Sequence, residues 1–363
     1  MDDGLYRAAV PRHGGDTEGF IREYGRPPLL DFSANVSPLG IPDRVKRAAA
    51  EALETADRYP DPDCGRLREA IAEKEGVPVS RVVCGNGAAD LIWRSVRAVH
   101  PREALVPLPS FFEYESALRA EGAAVRRHIL REENDFALTE EILSEITPET
   151  GMLFLCEPNN PTGRLTDPAL LRAIAGRCRE MGTVLAVDEC FLDLTSDPDG
   201  RTLRELTEEM PGLVLFRAFT KSFGMAGLRL GYCLCGSAET AEKIKEAGPP
   251  WAVSSPAQAA GLAALEEKEY LKELRELVTR ERARLRAGLE GLGLRVIPGE
   301  ANFLLFYSPV PLALPLRRRG ILLRSFTREE GLGPGWYRAA VRGAEENGAF
   351  LRALEDVLNG KLR

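Results

Sequence analysis

The sequence predicts an α/β protein, with a mostly parallel sheet sandwiched by helices in a large domain and a smaller α+β domain beside it. Helical segments alternate with four apolar runs of strand length that end in polar or turn-forming residues, namely ALVPLPS, MLFLCEP, TVLAVDE and LVLFRAF. The pattern changes after about Ala247, and 363 residues are more than one ordinary domain needs. These observations together predict two domains.

The spacing of apolar residues predicts the helices and strands of the large domain. Apolar residues at helical spacing predict amphipathic helices over 44–56, 65–76 and 167–182. A short apolar run at 81–85 predicts a strand that leads into a Gly-Asn-Gly turn. Ligands of parallel sheets bind beyond the carboxyl ends of the strands. Four candidate residues fall at such ends: Gly87, Asn160, Asp188 and Lys221.

The rest of the chain predicts the smaller domain. A turn-rich join at 249–258 precedes a long charged helix over roughly 264–290. Two strand-like stretches, LRVIPGEANFLLFY and ILLRSF, and a closing helix from Glu345 complete the chain. We expect the first forty residues to pack on this part. The predicted division is therefore 43–247 for the large domain, and 1–42 with 248–363 for the small one.

Composition excludes several classes of partner. The net charge is −7, which argues against nucleic-acid binding. An apolar run of the ~18 residues that a membrane span needs is lacking in the sequence, and the acidic N-terminal segment does not resemble a signal peptide. The seven cysteines lack metal-site spacing apart from a weak signal at Cys233 and Cys235, so we expect reduced, mostly buried thiols and no metal. We therefore expect a cytoplasmic protein.

Three segments carry the groups that hold pyridoxal 5′-phosphate and tune its chemistry. Lys221, in TKSFGMAGLRLGY, is the candidate amine for an imine with the cofactor aldehyde and for proton transfer at the substrate Cα. Asp188 follows the apolar run VLAV, where a buried carboxylate needs a partner such as a protonated pyridine nitrogen. Asn160, in NNPTG, would donate to the ring oxygen O3′. Each residue also has a competing interpretation. Lys221 could be an ordinary surface lysine, Asp188 a helix cap or a member of a structural ion pair, and Asn160 part of a plain turn.

The cofactor phosphate and ring have candidate contacts of their own. Backbone N–H groups at the Gly85–Ala88 turn, including Gly87 and Ala88, together with the Arg229 guanidinium would suit a dianion. Phe111 is the candidate to stack on the ring, with Phe112 as its rival. The alternative for the Gly85–Ala88 segment is a turn that binds no ligand, and the alternative for Phe111 is a simple core aromatic.

Three cationic residues are candidates for substrate anions. Arg324 and Arg338 lie in the C-terminal part, and a guanidinium reads carboxylate and phosphate well. His13 precedes two glycines and could also reach an anion. The alternative for each arginine is a weak surface salt bridge, and the alternative for His13 is a position in an exposed tail.

The four motifs TKSFGMAGLRLGY, NNPTG, VDEC and GNGAAD together resemble the fold type I aminotransferases, in the branch of histidinol-phosphate aminotransferase. The resemblance runs from about Arg12 to Leu358 and implies pyridoxal phosphate as cofactor. Many members have a hydroxyl residue three positions before the lysine, where it binds the cofactor phosphate. This chain has Ala218 there, and Thr220 is the residue that would compensate.

Other segments resemble the L-threonine O-3-phosphate decarboxylases of cobalamin biosynthesis, which make (R)-1-amino-2-propanol O-phosphate. These segments are HGGD, LLDFSANVSPLG, RYPDPDC, PWAV, ILLRSF and YRAAVRGAEEN. The resemblance implies that the substrate's phosphate and carboxylate contact His13, Asn35, Arg324 and Arg338. It also implies that Tyr59 reaches the cofactor phosphate of another subunit, and hence a homodimer with shared sites.

Three alternatives stay open at this stage. Histidinol-phosphate aminotransferase is the first, although HGGD and Phe191, which replaces a tyrosine common in aminotransferases, count against it. A serine-phosphate decarboxylase is the second, because one methyl group of discrimination is worth only ~1–3 kcal/mol. A non-catalytic protein on this fold is the third. The joint presence of Lys221, Asp188 and Asn160 argues against the third.

Overall fold

The computed structural model describes residues 13–360. Its largest sheet has seven strands in the order β2-β8-β7-β6-β5-β3-β4. Neighbours from β4 through β7 run parallel, and β8 runs antiparallel to both β7 and β2. The predicted mostly parallel sheet is therefore confirmed. The strand bounds are β1 Leu30–Asp31, β2 Val82–Gly85, β3 Glu103–Leu108, β4 Ala124–Ile129, β5 Met152–Cys156, β6 Val184–Asp188, β7 Leu213–Ala218, β8 Gly231–Cys235, β9 Arg295–Val296, β10 Phe303–Tyr307, β11 Ile321–Leu322, β12 Arg324–Ser325 and β13 Trp336–Ala340.

Helices cover both faces of this sheet. Alternate strand residues enter two separate cores, so that Leu153 and Leu155 of β5 face one layer of helices while Phe154 faces the other. Both faces are apolar, as expected of strands buried on both sides. The helix bounds are α1 Thr17–Tyr24, α2 Asp43–Glu51, α3 Gly65–Glu75, α4 Ala88–Val99, α5 Glu113–Ala120, α6 Glu141–Glu145, α7 Pro168–Met181, α8 Pro198–Arg201, α9 Phe219–Ser222, α10 Ala238–Glu246, α11 Ser255–Leu265, α12 Lys268–Gly291, α13 Ala313–Arg318 and α14 Ala344–Leu358.

A second, antiparallel sheet lies in the C-terminal part, with the order β12-β13-β10-β9. Its core includes Phe32, Leu285 of α12 and Phe350 of α14. The short strand β1 pairs with β11. The N-terminal segment, from residue 13 onward, therefore contacts the C-terminal part of the chain through this pair of strands. Residues 1–12 of the predicted segment lie outside the described residues.

The division into 43–247 and the remainder stays a prediction. Helix α11 begins beyond residue 247 but packs its alanines Ala257, Ala260 and Ala264 into a core of the large sheet. All seven cysteines are free and buried, which agrees with the predicted thiols. Among the helices of residues 13–360, none combines the length and apolar composition that crossing a bilayer requires.

Candidate active site

A cavity of about 520 Å³ opens where the carboxyl ends of the central strands meet the C-terminal sheet. It brings together most of the residues that the sequence singled out. Gly87 lies directly beside it, before Ala88, and Tyr59 lies outside it. The predicted residues that line the cavity are His13, Asn35, Ala88, Phe111, Asn160, Asp188, Thr220, Lys221, Arg229, Arg324 and Arg338.

Lys221 lies on the one-turn helix α9, directly after β7. Its carbonyl accepts a hydrogen bond from the Ser37 N–H at 3.0 Å, and its amine lies 5.6 Å from the centre of the Phe191 ring. Burial lowers the pKa of the Lys221 amine, and the guanidinium groups of Arg338 and Arg229 lower it further. A larger fraction of the amine is therefore neutral near neutral pH, which is the form that attacks a carbonyl.

Asp188 ends β6 and is buried. Its Oδ1 accepts from the Cys190 N–H at 3.0 Å, and its Oδ2 accepts from the Tyr114 hydroxyl at 2.6 Å. Burial raises the pKa of the Tyr114 phenol, and the Asp188 charge raises it further, so the phenol stays a donor. Asp188 thus presents its carboxylate at the cavity wall, where a protonated ring nitrogen is a suitable partner.

Gly87 and Arg229 form a corner suited to a phosphate. Gly87 begins helix α4 with φ of 82°, and no side chain caps that helix. A Cβ at Gly87 would lie 2.5 Å from Nη2 of Arg229, so the close approach requires glycine. The N–H groups of a helix start, its dipole and a guanidinium all favour a dianion. Ala218 and Thr220 line the cavity as well.

Asn160 and Arg338 contact each other. Oδ1 of Asn160 accepts from Nη1 of Arg338 at 2.5 Å, and Nη2 of Arg338 donates to the Ser33 carbonyl at 2.9 Å. In the amide orientation that satisfies both partners, Asn35 accepts from Nε of Arg338 at 3.1 Å. Burial lowers the pKa of Arg338 to about 9, with the nearby Arg324 adding to the effect. An anionic ligand would therefore stabilise this buried cation.

Arg324 and His13 are paired with carboxylates that line the same cavity. Arg324 forms an ion pair with Glu330, whose other oxygen accepts from the Thr327 N–H at 3.0 Å. His13 lies 3.3 Å from a Glu113 oxygen, and its ring lies 4.7 Å from that of Phe112. An anionic ligand at Arg324 and His13 would therefore compete with Glu330 and Glu113 for these side chains.

Three residues in or behind the cavity wall, Glu113, Glu330 and Tyr114, were not identified from the sequence; the first two line the cavity, and Tyr114 lies behind Asp188. Tyr114 lies one helical turn beyond Phe111, and this spacing was the available signal. Glu113 and Glu330 gave no signal, since a single acidic residue is usually a solvated one. Tyr59 is 81% exposed and its ring lies 4.8 Å from that of Trp251, so this chain does not bring it to its own cavity.

The cavity fits pyridoxal 5′-phosphate. The cofactor needs an amine for its aldehyde, an acidic partner for its ring nitrogen and a dianion site. Lys221 and Asp188 could serve the first two, and the corner of Gly87, Ala88 and Arg229 could serve the third. The tight approach at Gly87 keeps that corner free of a side chain that would occupy it.

Comparisons with known proteins agree with this chemistry. The model of the family "aminotransferase class I and II" matches residues 27–354. The chain is 37% identical over 354 residues to threonine-phosphate decarboxylase of Salmonella typhimurium, covering 96% of this chain and 97% of that protein. It is 35% identical over 352 residues to histidinol-phosphate aminotransferase of Methanosarcina mazei, covering 94% and 92%.

A solved structure shows the same fold. Histidinol-phosphate aminotransferase of Sinorhizobium meliloti, in complex with pyridoxal-5′-phosphate, superposes with a TM-score of 0.85 at 22% identity, covering 99% of this chain and 98% of that one. The predicted fold type I architecture and the predicted cofactor are thus both confirmed. The chain belongs to the class I and II aminotransferase family, and its cofactor is pyridoxal 5′-phosphate.

Proposed function

We propose that this protein decarboxylates L-threonine O-3-phosphate to (R)-1-amino-2-propanol O-phosphate, as a homodimer in the cytoplasm and as a step of cobalamin biosynthesis. The observation that carries the proposal is the distribution of cations in the cavity. Arg338, and Arg324 with His13, lie there in addition to Arg229 at the corner suited to the cofactor phosphate. A small substrate with both a carboxylate and a phosphate matches this set. The similarity to the Salmonella typhimurium enzyme supports the same substrate.

The proposal assigns a role to each residue of the site. When bound, the cofactor supplies an electron sink for the bonds at the substrate Cα. Asp188, held by Tyr114, would pair with the ring nitrogen and keep it protonated. Asn160 would donate to the ring oxygen, and Phe111 would contact the ring. Gly87, Ala88, Thr220 and Arg229 would hold the phosphate of the cofactor, with Tyr59 of a second subunit.

Substrate orientation selects the reaction. A bond is cleaved most readily when it stands perpendicular to the cofactor ring, so the enzyme chooses the bond by positioning the substrate. Arg324, Arg338, His13 and Asn35 would hold the phosphate and carboxylate of the substrate and so fix its orientation at Cα. The Lys221 amine then delivers a proton to Cα in place of carbon dioxide. The buried rings of Phe191 and Phe303 exclude water on this side.

Histidinol-phosphate aminotransferase is the second candidate, because the similarity to the Methanosarcina mazei protein is nearly as high. The two reactions share the cofactor and a phosphate on the substrate. They differ in the bond that is cleaved at Cα and in the need for 2-oxoglutarate.

A product assay separates the candidates. The cofactor-loaded protein is incubated with L-threonine O-3-phosphate, and in a second reaction with histidinol phosphate and 2-oxoglutarate. We expect carbon dioxide and aminopropanol phosphate from the first and no glutamate from the second. Glutamate without carbon dioxide would overturn the proposal in favour of the aminotransferase. L-serine O-phosphate forms a third arm, and a higher kcat/KM for it would reassign the substrate.

Lys221→Ala is the control for chemistry at the site. We expect this variant to lack both product formation and the yellow absorbance band of the lysine-bound cofactor. A wild-type chain that binds the cofactor without this band would instead be the non-catalytic protein.

A further inference from the structure

In the sequence, Lys221 and Asp188 are each followed directly by a buried polar residue. Ser222 follows Lys221, and Glu189 follows Asp188. Their side chains are 0% and 1% exposed, and neither residue lines the cavity. Polar groups with so little exposure need partners inside the protein.

Ser222 and Glu189 are connected through Asp193 and Arg217. Oγ of Ser222 donates to Oδ2 of Asp193 at 3.1 Å. Nη1 of Arg217 lies 3.5 Å from Oδ1 of Asp193, and its Nη2 lies 2.7 Å from Oε2 of Glu189. These four residues, Ser222, Asp193, Arg217 and Glu189, are called the buried network below.

Further contacts fix the network from the elements around it. Glu189 accepts from the Leu203 N–H at 2.9 Å and from the Thr202 hydroxyl at 3.0 Å. Thr202 Oγ1 also accepts from Nη2 of Arg217 at 2.9 Å. On the side of α3, Glu75 accepts from the Tyr232 hydroxyl at 2.6 Å.

The charges of the network are mutually dependent. Burial alone disfavours the Arg217 guanidinium, but Glu189 and Glu75 raise its pKa above the ordinary value. Burial would raise the pKa of Asp193, but Lys74 and Arg217 hold it below the ordinary value. Arg217 therefore stays a cation between carboxylates, which gives it a fixed orientation.

We propose that Arg217 is a positioning residue that sets the separation and orientation of Lys221 and Asp188 through the buried network. Lys221 lies on a helix of one turn, which has few hydrogen bonds of its own. The network ties the end of that turn to Arg217 of β7 and, through Glu189, to the end of β6. Displacements of about 1 Å at a reacting group can reduce the rate by about a hundredfold, so a fixed separation matters for catalysis.

Ser222→Ala tests the inference with a small change. It removes the hydrogen bond next to Lys221 and leaves the ion pairs of Arg217 in place. Because a hydrogen bond to a charged group is lost, we expect the cofactor dissociation constant to rise by about tenfold. We also expect the pH midpoint of the visible absorbance band of the holoenzyme to shift, since the Lys221 amine changes its surroundings.

Ser95→Ala is the matched control. Ser95 is also fully buried and does not line the cavity, and its hydroxyl donates to the Ile92 backbone carbonyl at 2.8 Å within α4. We expect Ser95→Ala to lose comparable stability in urea unfolding and to keep the wild-type cofactor affinity and pH midpoint. Equal cofactor affinity and an equal pH midpoint in both variants would overturn the inference.

Asp193→Asn provides a second variant, because it keeps an acceptor for Ser222 but removes the charge facing Arg217. We expect it to shift the pH midpoint in the holoenzyme as well, and an unchanged midpoint in this variant would count against the role of Arg217. The inference rests on the proposed roles of Lys221 and Asp188. These measurements follow the cofactor without any substrate, so they succeed or fail independently of the product assay.

Discussion

At the scale of single residues, Asp188 is held by a neutral phenol and a backbone N–H. A cation at this position would neutralise the carboxylate, whereas these donors stabilise its charge and leave it available to a protonated ring nitrogen. The stacking of Tyr114 on Phe154 at 4.8 Å fixes the phenol in turn. With Asp188 in its proposed role, the acidity of the ring nitrogen would depend on Tyr114, a residue that the cofactor itself need not touch.

Tyr114→Phe should weaken cofactor binding. Asp188 loses one of its two hydrogen bonds, and a bond to a charged group is worth about 1.5–3 kcal/mol. We expect the cofactor dissociation constant to rise and the free energy of unfolding to fall by about that amount, measured by fluorescence titration and urea unfolding. Tyr337→Phe, which removes the 3.0 Å hydrogen bond that the Tyr337 hydroxyl accepts from the Leu312 N–H outside the cavity, should lower the unfolding free energy alone. Equal cofactor affinities in the two variants would contradict this role of Tyr114.

Glu330→Gln should tighten the binding of phosphate. Glu330 pairs with Arg324 inside the cavity, so an incoming dianion competes with a fixed carboxylate. We expect the inhibition constant of inorganic phosphate to fall by about three- to tenfold, or about 1 kcal/mol. Glu329→Gln removes the same charge from an exposed neighbour and should leave the constant unchanged. Unchanged or weaker inhibition in Glu330→Gln would mean that Glu330 orients Arg324 instead of competing for it.

At the scale of elements, the loop that carries Asn160 is closed by a buried carboxylate. Glu157 directly follows β5 and accepts from the Thr166 N–H at 2.9 Å, while the Thr166 hydroxyl contacts its other oxygen. The residues between them include the PNNPTG motif. Asn160 therefore owes its position to a contact at the base of its loop, away from the cavity.

The same contact gives stability a dependence on pH. Burial raises the pKa of Glu157 from 4.5 to about 7. Between these values the folded chain binds a proton that the unfolded chain has lost, so stability falls as the pH rises through this window. Glu157→Gln has no titrating carboxyl at this position, so its stability does not fall in this window. Its free energy of unfolding, relative to wild type, should therefore increase by on the order of 3 kcal/mol from pH 4.5 to pH 8. Glu69→Gln changes an exposed residue, so its free energy of unfolding should follow the same pH dependence as that of wild type in the same urea series.

Elements with a strong local signal could be predicted from the sequence. The strands β3, β5, β6 and β7 are apolar on both faces, and they lie where the apolar runs predicted them. Strand β4 was missed because it is an edge strand with the polar sequence AVRRHI, which is mostly exposed. The predicted helix over 264–290 is in fact α12, Lys268–Gly291, preceded by the separate helix α11.

The site likewise has a part that the sequence could predict and a part that it could not. Lys221, Asp188, Asn160 and Arg229 lie in local motifs, so short segments identified them, and the structure places them in one cavity. Tyr114 and Asp188 are 74 residues apart, and Arg338 and Asn160 are 178 apart. These pairings depend on tertiary packing, which local patterns do not encode. Their specific functional roles stay proposals.

At the scale of the whole molecule, the exposed position of Tyr59 fits the proposal that two copies of the chain share their sites. Its side chain lies outside the cavity, 81% exposed, beside the half-exposed Trp251. The amide of Gln258 donates to the Asp61 carbonyl at 2.9 Å and so holds the segment just after Tyr59 against α11. An ordered aromatic pair with this exposure suits a contact with a second copy of the chain.

Mixed dimers test this arrangement. Lys221→Ala removes the catalytic amine of its own subunit but still offers Tyr59 to its partner, and Tyr59→Ala has the opposite defect. If the sites are shared, a dimer of one chain of each kind contains one intact site and one with both defects. We therefore expect activity to appear when the two variants are unfolded and refolded together, at about half the wild-type value per mixed dimer. Activity no greater than the sum of the two separate variants would show that each chain completes its own site, and sedimentation in the same samples would establish whether dimers had formed.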